Sequence, residues 1–298
     1  MNLLKYICLP GLLASGDIQT VSAVESKTDK NPNILVILID DAGYNDFGFM
    51  GSKEMQTPNI DALTSEGVVF TDAHVAATVS SPSRACLITG RYGHRFGYEC
   101  NLSDRTNGLP LEEETIAEVF KTNGYRTAAI GKWHLGSRDE QHPNNRGFDL
   151  FYGMKAGGRD YFYNEKKSDR PGDERNLLLN DRQVKFEKYL TDAFSEKAVE
   201  FINESSQPFM MYLAYNAVHT PMQATDEDMA KFEGHPRQKL AAMTYALDRG
   251  VGTVIRGLKD SGKFDNTLIF FLSDNGGATT NQSSNCLLYT SDAADDKA

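Results

Sequence analysis

The chain has 298 residues, is 40% hydrophobic and 24% charged, and carries a formal net charge of −10. That length and balance fit one large soluble α/β domain and exclude a disordered or repetitive chain. The acidic excess argues against a general nucleic-acid binder, which needs a basic face to neutralise phosphates.

Residues 1–23 combine an early Lys5, an apolar stretch from Tyr6 to Ala14, and the small residues Val21-Ser22-Ala23. This pattern predicts a cleaved export signal, hence a periplasmic or secreted protein. Nothing else approaches the ~18 apolar residues of a membrane span. From there on, short β-branched runs alternate with helical periodicity. Strands are expected at Ile34 to Ile39, Arg126 to Ile130, Phe209 to Ala214 and Leu268 to Leu272; helices at Thr57 to Glu66, Glu113 to Thr122, Thr191 to Glu204 and Gln238 to Ser261. Such alternation predicts a doubly wound, mainly parallel sheet with helices on both faces, and ligands gather at the carboxyl ends of its strands. Asp40-Asp41 and Asp274-Asn275 fall at two such ends. Three carboxylates and an amide form an all-oxygen set suited to a hard cation such as calcium, and two buried acid clusters side by side would repel without one. Gly153 to Lys188 is polar, glycine-rich and without period, and is expected to run over the surface and shape a pocket.

Ser80 opens the run Ser80-Ser81-Pro82-Ser83-Arg84, followed by Leu87-Ile88-Thr89-Gly90. Pro82 suits a first helical turn, the free amides there favour an anion, and Arg84 lies one turn on beside Ser80. This run resembles the signature of the formylglycine-dependent sulfatases of the alkaline-phosphatase-like superfamily. Gly124-Tyr125-Arg126-Thr127-Ala128-Ala129-Ile130-Gly131-Lys132-Trp133-His134-Leu135 resembles the family's second motif, in which strand alternation would put Lys132 and His134 on one face. Together with the two acidic pairs the resemblance covers residues 31–282.

The resemblance implies a sulfuric ester hydrolase, arylsulfatase-like and acting on sulfated glycans. Residue 80 would be oxidised to formylglycine by a maturation enzyme able to act on serine. Asp40, Asp41, Ser80, Asp274 and Asn275 would hold calcium. Arg84 and Lys132 would stabilise charge on the hydrate and the sulfate, and His134 would take the proton that triggers sulfate release. His219, in Asn216-Ala217-Val218-His219-Thr220-Pro221, would contact sulfate and protonate the leaving oxygen. The rival readings are a phosphomonoesterase or phosphodiesterase on the same fold, and an inactive glycan-binding fragment. His74, His94, His142 and His235 receive no role. A Cys86–Cys100 disulfide is open in an oxidising compartment.

The segment Cys286-Leu287-Leu288-Tyr289-Thr290-Ser291-Asp292-Ala293-Ala294-Asp295 resembles a translated sequencing-library adapter. Residues 286–298 are accordingly expected to be a non-native tail, and 31–285 an incomplete catalytic domain. The family's second sulfate-gripping lysine and C-terminal subdomain would then lie outside the chain.

Overall fold

In the computed structural model, residues 31–101 and 108–285 are described. The expected export signal (residues 1–23) and the expected non-native tail (286–298) lie outside the described residues. Chain order is β1 (Asn33–Ile39), α1 (Pro58–Ser65), α2 (Ser80–Thr89), α3 (Ile116–Thr122), β2 (Arg126–Lys132), β3 (Leu150–Met154), β4 (Leu178–Leu179), β5 (Arg182–Gln183), α4 (Leu190–Glu204), β6 (Phe209–Ala214), α5 (Asp226–Ala230), α6 (Gln238–Asp260) and β7 (Thr267–Ser273). The strands form one sheet in the order β5-β4-β3-β2-β6-β1-β7. All pairings from β3 to β7 across the centre are parallel, and only the short β3-β4-β5 margin is antiparallel.

The doubly wound expectation holds because the central strands are apolar on both faces. Every residue of β1 and of β6 is buried. Leu35, Ile37, Met211 and Leu213 face a core filled by α4 and α6 (Phe194, Phe201, Leu247, Val251), while Val36, Leu38, Met210 and Tyr212 face α2 and α3 through Ala85, Ile88 and Ala117. Each fully buried side chain of this size contributes roughly 2 kcal/mol by leaving water. The four expected strands and helices appear within three residues of their sequence bounds at each end. Two ends are fixed by identifiable caps. Thr115 accepts from Glu118 N while the Glu118 carboxylate accepts from Thr115 N, which starts α3 later than its periodicity alone suggests. The Asp248 carboxylate of α6 accepts from Asn59 N and Ile60 N, satisfying the free amides of α1 and tying it to α6.

Close strand contact requires glycine on both sides of β2, at Gly131 against β6 and at Gly153 of β3, whose Cβ would run into the Gly131 carbonyl. Gly131 has φ +107, and a Cβ there would run into the Ala214 carbonyl of β6. This keeps β2 tight against β6 just before Lys132.

Cys86 and Cys100 are both free, so the disulfide does not form; Cys86 is buried and its Sγ accepts from Gly93 N at 3.0 Å, a contact made without a partner thiol. The long polar excursion is also more ordered than its composition suggests. It carries the β4–β5 hairpin, turned at Asn180 (φ 55), and a buried Arg159–Asp169 ion pair at 2.7 Å with Arg159 stacked over the Phe186 ring. Among the described residues no helix is long and apolar enough to cross a membrane.

Candidate active site

Five elements end at one place. β1 runs into Asp40 and Asp41, β7 into Asp274 and Asn275, and β2 ends at Lys132, with His134 two residues on. The turn after β6 brings His219, and α2 begins at Ser80. The parallel sheet itself creates this convergence, since neighbouring parallel strands finish on the same side. Cross-links fix the ends: Asp40 N donates to Ala217 O, Val218 N to Asp40 O, and Asp274 N to Ile39 O.

The N-terminus of α2 presents Ser80 as expected. Its hydroxyl oxygen lies 3.0 Å from Asp40 Oδ1, 3.0 Å from Asn275 Oδ1 and 3.2 Å from Lys132 Nζ. One hydroxyl proton thus faces two acceptors, of which it can satisfy one at a time. Asp40 also accepts from Lys132 Nζ at 2.6 Å through Oδ2, and both side chains are fully buried. Arg84 donates from Nε and Nη2 to Asp274 Oδ2 at 3.1 and 2.8 Å, and from Nη1 to the Lys132 carbonyl at 3.2 Å. Ser83 Oγ donates to the Asp274 carbonyl. Asn275 Nδ2 donates to Asp41 Oδ1 at 2.8 Å, orienting its own carbonyl oxygen toward Ser80. Asp41 itself adopts φ 57, with its carbonyl held by Asn281 Nδ2 and Ser283 Oγ.

Burial and neighbouring charge set the ionisation states. Burial alone would raise Asp40, but Lys132 and then Arg84 outweigh it, so its pKa falls below the ordinary aspartate value. For Asp274, burial and the adjacent Asp40 charge prevail over Arg84 and push the pKa up. Arg84 loses from burial but is raised by Asp274, and stays charged. The His134 imidazole is driven well below its usual range by burial, then by Lys132 and Arg84. It is therefore neutral at pH 7.

Strand alternation does not place the two histidine-motif residues, contrary to expectation. Lys132 is the last residue of β2, and His134 lies beyond the strand at φ 58, with its N–H donating to Lys155 O at 3.0 Å. Its carbonyl accepts from Ser81 Oγ at 2.7 Å, which joins it to the start of α2. His134 Nδ1 is buried without a hydrogen-bond partner. His219 Nδ1 lies 2.6 Å from the Thr220 carbonyl, so that nitrogen carries the proton, and Nε2 faces Asp41 Oδ2 at 3.7 Å. All nine site residues expected from sequence therefore meet. Their supports Ser81, Ser83, Asn281 and Ser283 carried no periodic or spacing signal by which to find them.

The residues fit a divalent cation. Carboxylate oxygens of Asp40, Asp41 and Asp274 lie within 4.8 Å of one another, and the two acceptors that share the Ser80 hydroxyl proton converge with them. Three carboxylates against Lys132 and Arg84 leave one formal negative charge, which a doubly charged ion would convert to one positive charge. The enclosure is all-oxygen, as hard cations require.

Comparison with known proteins agrees with this geometry. The chain matches the Sulfatase family model over residues 32–296. It is 34% identical over 308 residues to the uncharacterized sulfatase YdeN of Escherichia coli (strain K12), covering 85% of this chain and 53% of YdeN. Identity to arylsulfatase G of Mus musculus is 37% over 276 residues, covering 82% of this chain and 51% of the relative. The solved structure of Ps i-CgsB in complex with k-i-k-neocarrahexaose superposes with a TM-score of 0.82 at 44% identity, over 87% of this chain and 61% of that one. The chain thus spans about half the length of the curated relatives it matches. With its alkaline-phosphatase-like fold and these matches, the chain belongs to the sulfatase family.

Proposed function

We propose that this chain carries the catalytic site of a sulfuric ester hydrolase acting on sulfated glycans. The observation that supports it most is the placement of Ser80 Oγ between Asp40, Asn275 and Lys132 at 3.0 to 3.2 Å, at a helix N-terminus. When oxidised to formylglycine, residue 80 supplies a hydrated aldehyde, one hydroxyl to attack sulfur and a second whose deprotonation releases sulfate. When bound by Asp40, Asp41, Asp274, Asn275 and residue 80, calcium supplies positive charge that favours the ionised attacking hydroxyl.

The remaining steps fall to the chain's own side chains. Lys132 and Arg84 are buried basic side chains whose positions are fixed by Asp40 and Asp274 before substrate arrives, so they stabilise charge on the sulfate oxygens without reorganising. His134, neutral because of its surroundings, accepts the proton whose loss triggers sulfate expulsion. His219, with its Nδ1–H held by the Thr220 carbonyl and Nε2 toward the site, meets the sulfate and, in its doubly protonated form, donates the Nε2 proton to the departing sugar oxygen. The ester S–O bond breaks as that oxygen becomes a hydroxyl.

Substrate class rests on the resemblance to Ps i-CgsB, whose bound k-i-k-neocarrahexaose is a glycan. Export to the periplasm or medium and maturation by a serine-oxidising enzyme complete the reading. Sulfate release from sulfated polysaccharide fragments, an aryl sulfate and a phosphate monoester, assayed side by side, tests it. Release from the sulfates with residue 80 oxidised is expected; turnover of the phosphate ester by unmodified Ser80 would overturn it in favour of a phosphoesterase.

A further inference from the structure

The segment after β3 passes directly over both histidines of the site. Lys155 O accepts from His134 N, and two residues later Gly157 lies against the His134 ring: a Cβ there would come within 2.6 Å of Nε2 and 2.7 Å of Cε1. A Cβ on Gly158 would stand 3.2 Å from His219 Cε1 and 3.3 Å from Nδ1. Neither glycine has a positive φ, so the backbone there would accept any L-residue. Space beside the imidazoles is what excludes a side chain.

The same segment is anchored before the pair by Ala156 N, which donates to Glu174 O at 3.1 Å, and after it by Arg159 and Tyr161. Arg159 is buried and holds Asp169 at 2.7 Å and the Arg175 carbonyl at 2.9 Å. Tyr161 Oη donates toward the Asn216 and His219 carbonyls at 2.5 and 2.9 Å, linking the segment to the turn that carries His219. A Cβ at 157 could not be relieved by lifting this segment without breaking those contacts. The mobile partner is the His134 ring, which would have to shift by about 0.8 Å to restore the 3.4 Å of an ordinary contact.

We propose that Gly157 and Gly158 are positioning residues for the two imidazoles: their bare backbone is the wall that fixes where His134 and His219 stand relative to residue 80. The kinetic consequence rests on the sulfatase reading above; the structural one does not. Displacement of a proton acceptor by nearly 1 Å costs on the order of a hundredfold in rate, while Lys132 and Arg84, which grip sulfate, stay in place.

The test uses Gly157→Ala and Gly158→Ala in the full chain. Nitrogen-15 spectra of the imidazoles should show the His134 ring signals moved in Gly157→Ala with those of His219 nearly unmoved, and the reverse, to a smaller degree, in Gly158→Ala. Urea unfolding in a His134→Ala background supplies a readout that holds even if Gly157→Ala folds poorly: without the imidazole, Gly157→Ala should leave the unfolding midpoint unchanged. Where sulfate esters are turned over, kcat should fall roughly a hundredfold with KM altered less than twofold. Unmoved His134 signals, or the same midpoint loss with and without the imidazole, would overturn the proposal. Moved ring signals in a protein that hydrolyses no sulfate ester would support the positioning role and count against the sulfatase reading instead.

Discussion

Arg84 Nη2 and Asp274 Oδ2 are 2.8 Å apart with both side chains fully buried, so one aspartate serves as counter-ion to an inaccessible guanidinium and as a candidate calcium ligand. The two duties separate experimentally. Among the described residues, Asp274→Ala leaves Arg84 with only Asp40 Oδ1, at 3.6 Å, as a buried acidic neighbour. Stranding one member of a buried pair costs about 3–5 kcal/mol, so the metal-free variant should unfold at lower urea by that amount. Calcium should raise the unfolding midpoint of the parent chain and leave that of Asp274→Ala where it is. A variant with unaltered calcium affinity by calorimetry removes Asp274 from the metal site.

Among the described residues, no imidazole is hydrogen-bonded to Ser80 Oγ to take its proton; its hydrogen-bond neighbours are two acceptor oxygens and a lysine already committed to Asp40. The one candidate base for a plain serine so placed is Asp40, whose lowered pKa and ion pair with Lys132 make it a weak one. Expression with a serine-oxidising maturation enzyme should yield a peptide containing residue 80 that is lighter by two hydrogens, together with sulfate ester hydrolysis. Expression without it should yield the unmodified mass and no turnover. Equal turnover by the unmodified protein would end the formylglycine mechanism.

How much could be read in advance differs between the two layers of the site. Asp40, Asp41, Asp274 and Asn275 were legible because each pair follows a continuous apolar run, and parallel strands must deliver their ends to a common side. Helix geometry placed Ser80 and Arg84 one turn apart on either side of Pro82, and the resemblance to the sulfatase signature supplied their roles. Alternation failed at His134 because the chain leaves β2 at Lys132 and turns through φ 58, a local backbone choice with no periodic signature. β3 went unread since Leu150–Met154 has no β-branched residue and sits against a glycine-rich stretch. The order in the long excursion comes from Arg159, whose burial depends on Asp169 and Phe186 and not on any pattern in its neighbourhood.

Stability should depend on pH through His134. Its folded pKa is depressed by burial and by Lys132 and Arg84, whereas the unfolded chain holds it near 6.5. Below that value the unfolded state binds the proton more readily, so the contribution is fully present above pH 6.5 and is lost as pH falls through and below it. A calcium ion in the site would act in the same direction. His134→Gln should flatten the urea-midpoint profile between pH 7 and 5 relative to the parent, because it removes the titrating group while keeping a polar side chain. Identical slopes in the two proteins would assign the pH dependence elsewhere.

β7 is the outermost strand on its side of the sheet, and its residues Leu268 and Phe270 are 49% and 48% exposed although their register partners Ile34 and Val36 on β1 are buried. A seven-residue, largely apolar strand with one edge unpaired among the described residues is a template for pairing with another chain. Lysine is the residue that natural edges use against this. Phe270→Lys should therefore act in opposite directions on two measurements: it forfeits about 1 kcal/mol of half-buried aromatic contact, lowering the unfolding midpoint slightly, yet it suppresses concentration-dependent association in light scattering. Leu272→Lys, on the same face but packed against the core shared with α2 and α3, should destabilise by several times as much. If Phe270→Lys associates as readily as the parent, the exposed β7 edge is not the surface through which the chain self-associates.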